Sequence, residues 1–338
     1  MSERGDAIAH FLAASGWGEA SRAPLAGDAS FRRYDRLSRG KECAVLMDAP
    51  PPQENVRPWL AIARHLSGLG YSAPRVLAAD EAAGLVLLED LGDGLYTRLL
   101  ATVHDESLEA VLYAAAIDLL VDLHRRPPPQ GIDRYDEPKR LANAELFLDW
   151  YLPRRFGSHA DERERAAFRT AWREVLPLAG RVPEALALRD YHADNLIWLP
   201  GRAADPGDPN GLRRVGLLDF QDASLAPLTY DIVSLLEDAR RDVPPALAER
   251  MIRRYLAASP NLDEATFRAA YAVTGAQRNV RILGVFSRLA VRDGKARYLD
   301  YLPRVWGLVE RDLAHPALAP VAAWFARAVP PAMRERAA

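Results

Sequence analysis

The chain lacks several things, and each absence excludes a class of protein. Cys43 is the one cysteine among 338 residues, which rules out an internal disulfide and any metal site built from several thiolates, and fits a reducing compartment. No apolar run approaches the ~20 residues a membrane-spanning helix needs. The opening, Met1 to Asp6, is polar and mixed in charge, and no apolar segment of a secretory leader follows it. A net charge of −2 gives no general attraction to nucleic acid or an anionic membrane. No internal repeat is visible. Hydrophobic residues at 49% and charged residues at 27% leave an ordinary globular protein, and its length suggests about two domains. The expectation is a cytoplasmic monomer with neither nucleic acid nor membrane as partner.

What is present is concentrated in two stretches. The apolar run at Ala187-Leu188 leads into Arg189-Asp190, four residues follow, then Asn195, then the apolar Leu196-Ile197-Trp198. A second apolar run, Val215 to Leu218, delivers Asp219, followed by Phe220-Gln221-Asp222. Phosphoryl transfer needs a carboxylate that orients and deprotonates a hydroxyl, and oxygen ligands for magnesium that offset phosphate charge. The pattern H-R-D-x-x-x-x-N followed by D-F-G supplies them in this order in protein kinases. Here Leu188 stands for the His and Gln221 for the Gly. The plain alternative, that each Asp caps a strand-to-loop turn, explains either stretch alone but not both in order. His192, Gln221 and Asp222 lie within or beside these motifs and are candidate substrate contacts.

Earlier in the chain, Phe31 to Leu37 alternates in character and Cys43 to Met47 is apolar, predicting a hairpin around Ser38 to Lys41. The turn before it, Gly27-Asp28-Ala29-Ser30, can present backbone N–H groups and Ser30 to phosphates, or simply turn the chain. Arg32 and Arg33 are phosphate contacts or a solvated face. Prolines 50–52 end the second strand. A helix is expected over Val56 to Leu69 and strands over Arg75 to Ala78 and Leu85 to Leu88. The glycine-rich segment after Glu89 then reads as a hinge, with adenine meeting the backbone near Glu89 to Leu91. This is the layout of a kinase small lobe, assigned to residues 1–90. Residues 91–338 form a larger, mostly helical lobe. The fold class is α+β, bilobal and protein-kinase-like, with a small antiparallel sheet and one main helix in the first lobe.

In the second lobe, Ser107 to His124 reads as a helix stopped by prolines 127–129, with His124 favourable there as a cation or a carbonyl partner. Ala142 to Tyr151 reads as a helix bearing Asn143, Glu145, Asp149, Trp150 and Tyr151, either core aromatics or a sugar-binding set. Asp161 to Leu178 is a charged amphipathic helix expected on the surface. Asp231 falls in the first turn of another, as a brace for the catalytic loop or a plain helix-start residue. Gln277-Arg278-Asn279-Val280-Arg281, with Arg288, Arg292 and Lys295 beyond, suggests a solvated face, or a pocket for an anionic substrate group.

Arg189-Asp190-x4-Asn195, Leu218-Asp219-Phe220 and Asp231 resemble the aminoglycoside phosphotransferase/choline kinase superfamily. Four blocks resemble one subgroup within it, the anomeric N-acetylmuramate/N-acetylglucosamine kinases of bacterial cell-wall recycling. They are Gly27 to Tyr34, Met47 to Pro51, Asp219 to Ala223 and Arg292 to Lys295. The resemblance implies ATP with Mg2+ as donor and the C1 hydroxyl of an N-acetylated hexose as acceptor. It implies Asp190 as base and Asn195 and Asp219 as metal ligands. Gly27, Asp28, Ser30, Arg32, Glu89 and Leu91 would face the nucleotide; Asn143, Glu145, Trp150, His192, Gln221, Asp222, Arg278 and Arg281 would face the sugar. The lactyl carboxylate of N-acetylmuramate could meet Arg278 or Arg281. One departure stands out: the strand at Cys43 to Met47 has no lysine for the phosphates, and Lys41 precedes it out of register. Arg32 or Arg33 would have to substitute. Two alternatives stay open: another acceptor, such as an aminoglycoside or choline-like alcohol, and a nucleotide-binding regulator without catalysis.

Overall fold

Alternation of side chains across residues 31–48 becomes a hairpin, because one face has a core to meet. The computed structural model describes residues 3–25, 31–102, 105–202, 207–208 and 210–335; the expected phosphate turn Gly27, Asp28 and Ser30 lies outside them. Helix α1 (Glu3–Ala14) precedes β1 (Ser21–Pro24), β2 (Arg33–Arg39), β3 (Glu42–Asp48), α2 (Arg57–Gly68), β4 (Val76–Asp80) and β5 (Leu85–Glu89). Then come α3 (Tyr96–Thr102), α4 (Glu106–Leu123), α5 (Glu137–Leu146), α6 (Leu152–Phe156) and α7 (Glu162–Ala179). Four short strands follow: β6 (Glu184–Ala187), β7 (Leu196–Trp198), β8 (Val215–Leu217) and β9 (Ser224–Pro227). Helices α8 (Thr229–Leu236), α9 (Pro245–Ala257), α10 (Glu264–Asp293), α11 (Leu302–Leu313) and α12 (Ala319–Ala328) close the chain.

The chain packs as two units, Met1–Ala116 with Ala193–Asp222, and Ile117–His192 with Ala223–Ala338. The first holds an antiparallel sheet in the order β1-β2-β3-β5-β4. Leu37, Ala44, Leu46, Leu85 and Leu87 occupy one face and bury against Ile8, Phe11 and Leu12 of α1 and against Trp17. Tyr34, Arg36, Val45, Met47, Val86 and Leu88 fall on the other face by register. Expected strands and the expected α2 form with small shifts at their ends. Strand β1 was not expected: its four residues are all exposed, so no periodicity marks it, and it pairs on one side only, where Pro24 is tolerated. The β7–β8 pair belongs to this unit, tied in by Trp198 N–H donating to Gly94 O at 2.7 Å and Leu217 N–H to Ser72 O at 3.0 Å.

In the second unit α10, 30 residues long, packs against α5, α7, α8 and α11. Phe147, Tyr151, Trp172, Trp306 and Phe325 fill the surrounding core. Gly284 permits the closest approach, since a Cβ there would lie 2.3 Å from the Leu146 carbonyl carbon. Helix α7 starts at Asp161, whose side chain accepts from Glu164 N–H. It is less superficial than expected, burying Phe168, Trp172, Val175 and Leu176 along one face.

Two further expectations change. Gln277, Arg278 and Asn279 are not on a solvated face; they are 1%, 3% and 0% exposed. Their partners come from other elements, and that makes burial tolerable. Arg278 donates to Glu237 O at 3.3 Å and Ser234 Oγ at 2.9 Å, while Asn279 Nδ2 donates to Glu237 Oε2 at 2.6 Å and Asp312 Oδ2 at 3.0 Å. Arg292 at the end of α10 is exposed. His124 is no helix-end cation: its Nδ1 lies 2.8 Å from Tyr255 Oη, and burial pulls its pKa to about 3.

Candidate active site

The functional segments sit at strand ends in left-handed backbone. Among the described residues other than glycine, only Arg189 (φ 73°) and Asp219 (φ 56°) have positive φ. Such a conformation costs ~1–3 kcal/mol and persists only where the surroundings hold it in place.

In the second unit β6 pairs with β9 and ends at Ala187. Both carboxylate oxygens of Asp231, in the first turn of α8, then accept from the next two backbone N–H groups. Leu188 N lies 2.6 Å from Oδ2 and Arg189 N 2.9 Å from Oδ1. Ser234 Oγ, one turn further along α8, donates to Arg189 O at 3.2 Å. The Arg189 guanidinium lies over the Tyr135 ring, 4.3 Å from its centroid. Backbone and side chain of the residue before Asp190 are therefore pinned, which aims Asp190, itself half-buried. Asp231 is fully buried, and burial pushes its pKa up to about 7. The two N–H donors and Arg278 oppose this, and the neighbouring Asp190 charge adds to it.

His192 is also buried, its Nε2 accepting from Arg240 Nη1 at 3.1 Å. Burial, then Arg240 and Arg278, hold it well below the ordinary histidine pKa and keep it neutral. Asn143 donates to Lys139 O at 2.8 Å and accepts from Arg281 Nε at 3.2 Å. Glu145 pairs with Arg169 of α7. Trp150 is half-buried in the π-helical turn Phe147–Tyr151, while Tyr151 is core.

In the first unit a 3-10 turn, Ala193–Asn195, leads into β7. Leu218 N–H donates to Asn195 O at 3.0 Å, so the segments bearing Asn195 and Asp219 run side by side. Gln221 Nε2 donates to Asp219 Oδ1 at 3.0 Å, while the buried Gln221 Oε1 has no partner among the described residues. Phe220 is fully buried and stacks on Trp59 of α2, with centroids 5.1 Å apart. Asp222 is exposed. Toward the expected hinge, Glu89 accepts from Arg202 Nη2 at 2.6 Å and from Arg75 Nε at 3.2 Å, and Leu91 is buried. An open concavity of about 330 Å³ lies beside it, lined by Arg36, Cys43, Asp90, Gly92 and Asp93. Arg33 and Lys41 are exposed, whereas the Arg32 side chain is only 12% exposed and pairs with Glu54 at 3.0 Å.

These donors fit magnesium. No group of three or more His, Cys, Asp or Glu side chains gathers among the described residues. Magnesium on a phosphate substrate does not need one: it takes one or two carboxylate-type oxygens, substrate phosphates and waters. Asn195, Asp219 and the unmatched Gln221 Oε1 are oxygen donors of that kind.

The phosphotransferase enzyme family model matches residues 21–269, spanning both segments. The chain belongs to this family. An N-acetylmuramate/N-acetylglucosamine kinase of Caulobacter vibrioides is 41% identical over 97% of this chain and 98% of its own. One of Pseudomonas aeruginosa is 34% identical over 91% and 89%. An aminoglycoside phosphotransferase with ADP bound aligns at TM-score 0.61 and 14% identity, covering 90% of this chain and 97% of its own. A choline kinase of Streptococcus pneumoniae aligns at TM-score 0.63 and 14% identity over 94% and 99%. This phosphotransferase is thus a kinase of the α+β, protein-kinase-like class.

Sequence reasoning missed Tyr34, Glu54, Trp59 as the partner of Phe220, and Arg240 as the partner of His192. Tyr34 carried a signal, since alternation puts it on the same side as Arg32. Glu54 and Arg240 carried none, because nothing local marks a charged loop residue as another residue's partner.

Proposed function

We propose that the chain phosphorylates the anomeric C1 hydroxyl of N-acetylmuramate and/or N-acetylglucosamine with MgATP, in peptidoglycan recycling. The observation that carries the reading is the pair of braced strand ends bearing Asp190 and Asp219, in a chain 41% identical to a kinase named for these sugars. Residues 1–90 serve as the nucleotide lobe, and residues 91–338 supply the catalytic loop and acceptor contacts.

Asp190 orients the C1 hydroxyl and takes its proton as the oxygen bonds to the γ-phosphorus and the bond to the β-phosphate oxygen breaks, releasing ADP. A hemiacetal hydroxyl is more acidic than an ordinary alcohol, and the loose transition state asks little of the base early in the reaction. Asp231 keeps Asp190 aimed by holding the two preceding N–H groups. Asn195 and Asp219 would hold magnesium, which would supply neutralisation of phosphate charge, and Gln221 would steady Asp219 through its amide hydrogen bond. Arg278 is fully buried against Glu237 and Ser234, whereas Arg281 on the same helix is half-buried, its Nε donating to Asn143, and is the candidate to meet an acidic substituent of the sugar. Asn143, Trp150, His192 and Asp222 remain candidate contacts for the sugar.

The test is ADP release from purified protein with MgATP and N-acetylmuramate, N-acetylglucosamine, glucose, kanamycin or choline, with products read by phosphorus NMR. A 1-phosphate formed only from the N-acetylated sugars is expected. Turnover with kanamycin or choline alone would overturn the substrate.

A further inference from the structure

Strand β3 reads Glu42-Cys43-Ala44-Val45-Leu46-Met47-Asp48 and contains no lysine. Its Val45 and Met47 share the sheet face opposite the α1 core, the face on which a kinase-type small lobe places its phosphate-binding lysine. Tyr34 of β2 lies directly across from Met47 in register. Arg32, two residues earlier, falls on the same side by alternation.

A charged cluster assembles there. Arg32 Nε donates to Glu54 Oε2 at 3.0 Å, and the other Glu54 oxygen accepts from the Phe31 backbone N–H at 3.2 Å. Both side chains of the pair are only 12% exposed, well below the exposure of a surface pair worth little. Glu54 comes three residues before α2, the helix whose Trp59 stacks on Phe220. The Tyr34 hydroxyl hydrogen-bonds with Arg32, and the Asp219 carboxylate acts on it electrostatically from nearby. A guanidinium held by Glu54 thus lies beside Tyr34, on the side of the sheet that carries Val45 and Met47.

In protein kinases the phosphate-binding lysine is held by a glutamate of the small-lobe helix. Arg32 and Glu54 reproduce that ion pair from different positions in the chain. We infer that Arg32, positioned by Glu54 and Tyr34, is the cation that grips the nucleotide phosphates in place of the absent lysine. A planar guanidinium suits the task, since its fork can engage a carboxylate along one edge and a phosphate along another. The inference rests on the kinase reading and adds the phosphate contact that reading lacks.

Binding, measured by titration calorimetry without any sugar, tests it. Wild type, Arg32→Met, Arg32→Gln, Arg32→Lys and Glu54→Gln are each titrated with MgADP and with adenosine. Arg32→Met should weaken ADP about 10-fold or more, the worth of a charge-assisted hydrogen bond, and leave adenosine within about twofold. Retained adenosine binding shows that the fold survives. Arg32→Lys should recover part of the loss by restoring the charge without the fork. As a positioning residue, Glu54 should show itself in Glu54→Gln by raising the KM for ATP more than it lowers kcat. Should Arg32→Met lose adenosine as well, Arg32→Gln, which keeps a polar head without the charge, decides: adenosine kept with ADP weakened supports the inference, and ADP kept at wild-type strength overturns it. An Arg32→Met protein that still prefers ADP to adenosine as strongly as wild type overturns it outright. A wild type that binds neither ligand overturns the kinase reading along with it.

Discussion

The turn before Asp190 and the turn at Asp219 present the same device held in two different ways. Each ends a short strand and forces one non-glycine residue into left-handed backbone. The Asp190 turn is held by polar groups: a buried carboxylate accepts two N–H bonds and a serine hydroxyl donates to the carbonyl. At Asp219 the hold includes an apolar stack, Phe220 on Trp59, beside the amide hydrogen bond from Gln221 and the Leu218 N–H donating to Asn195 O. A base must keep its direction to within fractions of an ångström, and paired hydrogen bonds constrain direction. A metal ligand is further restrained by the ion it binds, so packing that fixes the backbone suffices.

This contrast can be broken at several points. The largest effect belongs to the proposed base: Asp190→Asn should cut kcat by about 10²–10⁴ with MgADP affinity nearly unchanged. Unchanged turnover would remove Asp190 from its role. Next is the polar brace. Asp231→Ala leaves two donors without their acceptor and should cost about 2–5 kcal/mol in urea unfolding, with kcat falling because Asp190 loses its aim. A loss of stability with kcat intact would show that Asp231 serves the fold alone.

Two histidines of the second unit should make it sensitive to acid. His124 is half-buried, and desolvation lowers its pKa to about 3, while in the unfolded chain it titrates near 6.5. Below about pH 6.5 the unfolded chain binds a proton that the folded one refuses, so stability falls by about 1.4 kcal/mol per pH unit down to about pH 3. His192, shifted in the same direction, adds to the loss. Asp231 works with the opposite sign. Folded, it keeps its proton up to about pH 7, so its contribution is present below about pH 4 and is lost as pH rises through 7. The difference between wild type and His124→Gln, compared at pH 5 and 6.5, isolates the histidine; equal differences at both would contradict a neutral His124. The smallest change is expected at the apolar hold. Phe220→Leu should cost about 1 kcal/mol, at a similar value at pH 5 and 7.

The order of the catalytic groups was legible because each motif is continuous in the chain. Arg189-Asp190-x4-Asn195 and Leu218-Asp219-Phe220 could be read with no knowledge of what surrounds them. Alternation likewise announced β2, and short apolar runs announced β3 and β5, the latter buried on both faces. The α10 arginines misled for the opposite reason. A run of cations reads as solvated when its partners, Ser234 and the Glu237 carbonyl, are about 40 residues away.

By itself, then, the sequence determined what depends on neighbours along the chain: strand periodicity, the spacing of the motifs that carry Asp190, Asn195 and Asp219, the absence of a lysine from β3. Tertiary structure alone decided what depends on partners brought from afar. Asp231 reaches the backbone of Leu188 across 43 positions, and Glu54 reaches Arg32 across 22. The physical reason is that a charge removed from water is tolerable only beside its counter-group, and the fold, not the local sequence, decides which counter-group arrives.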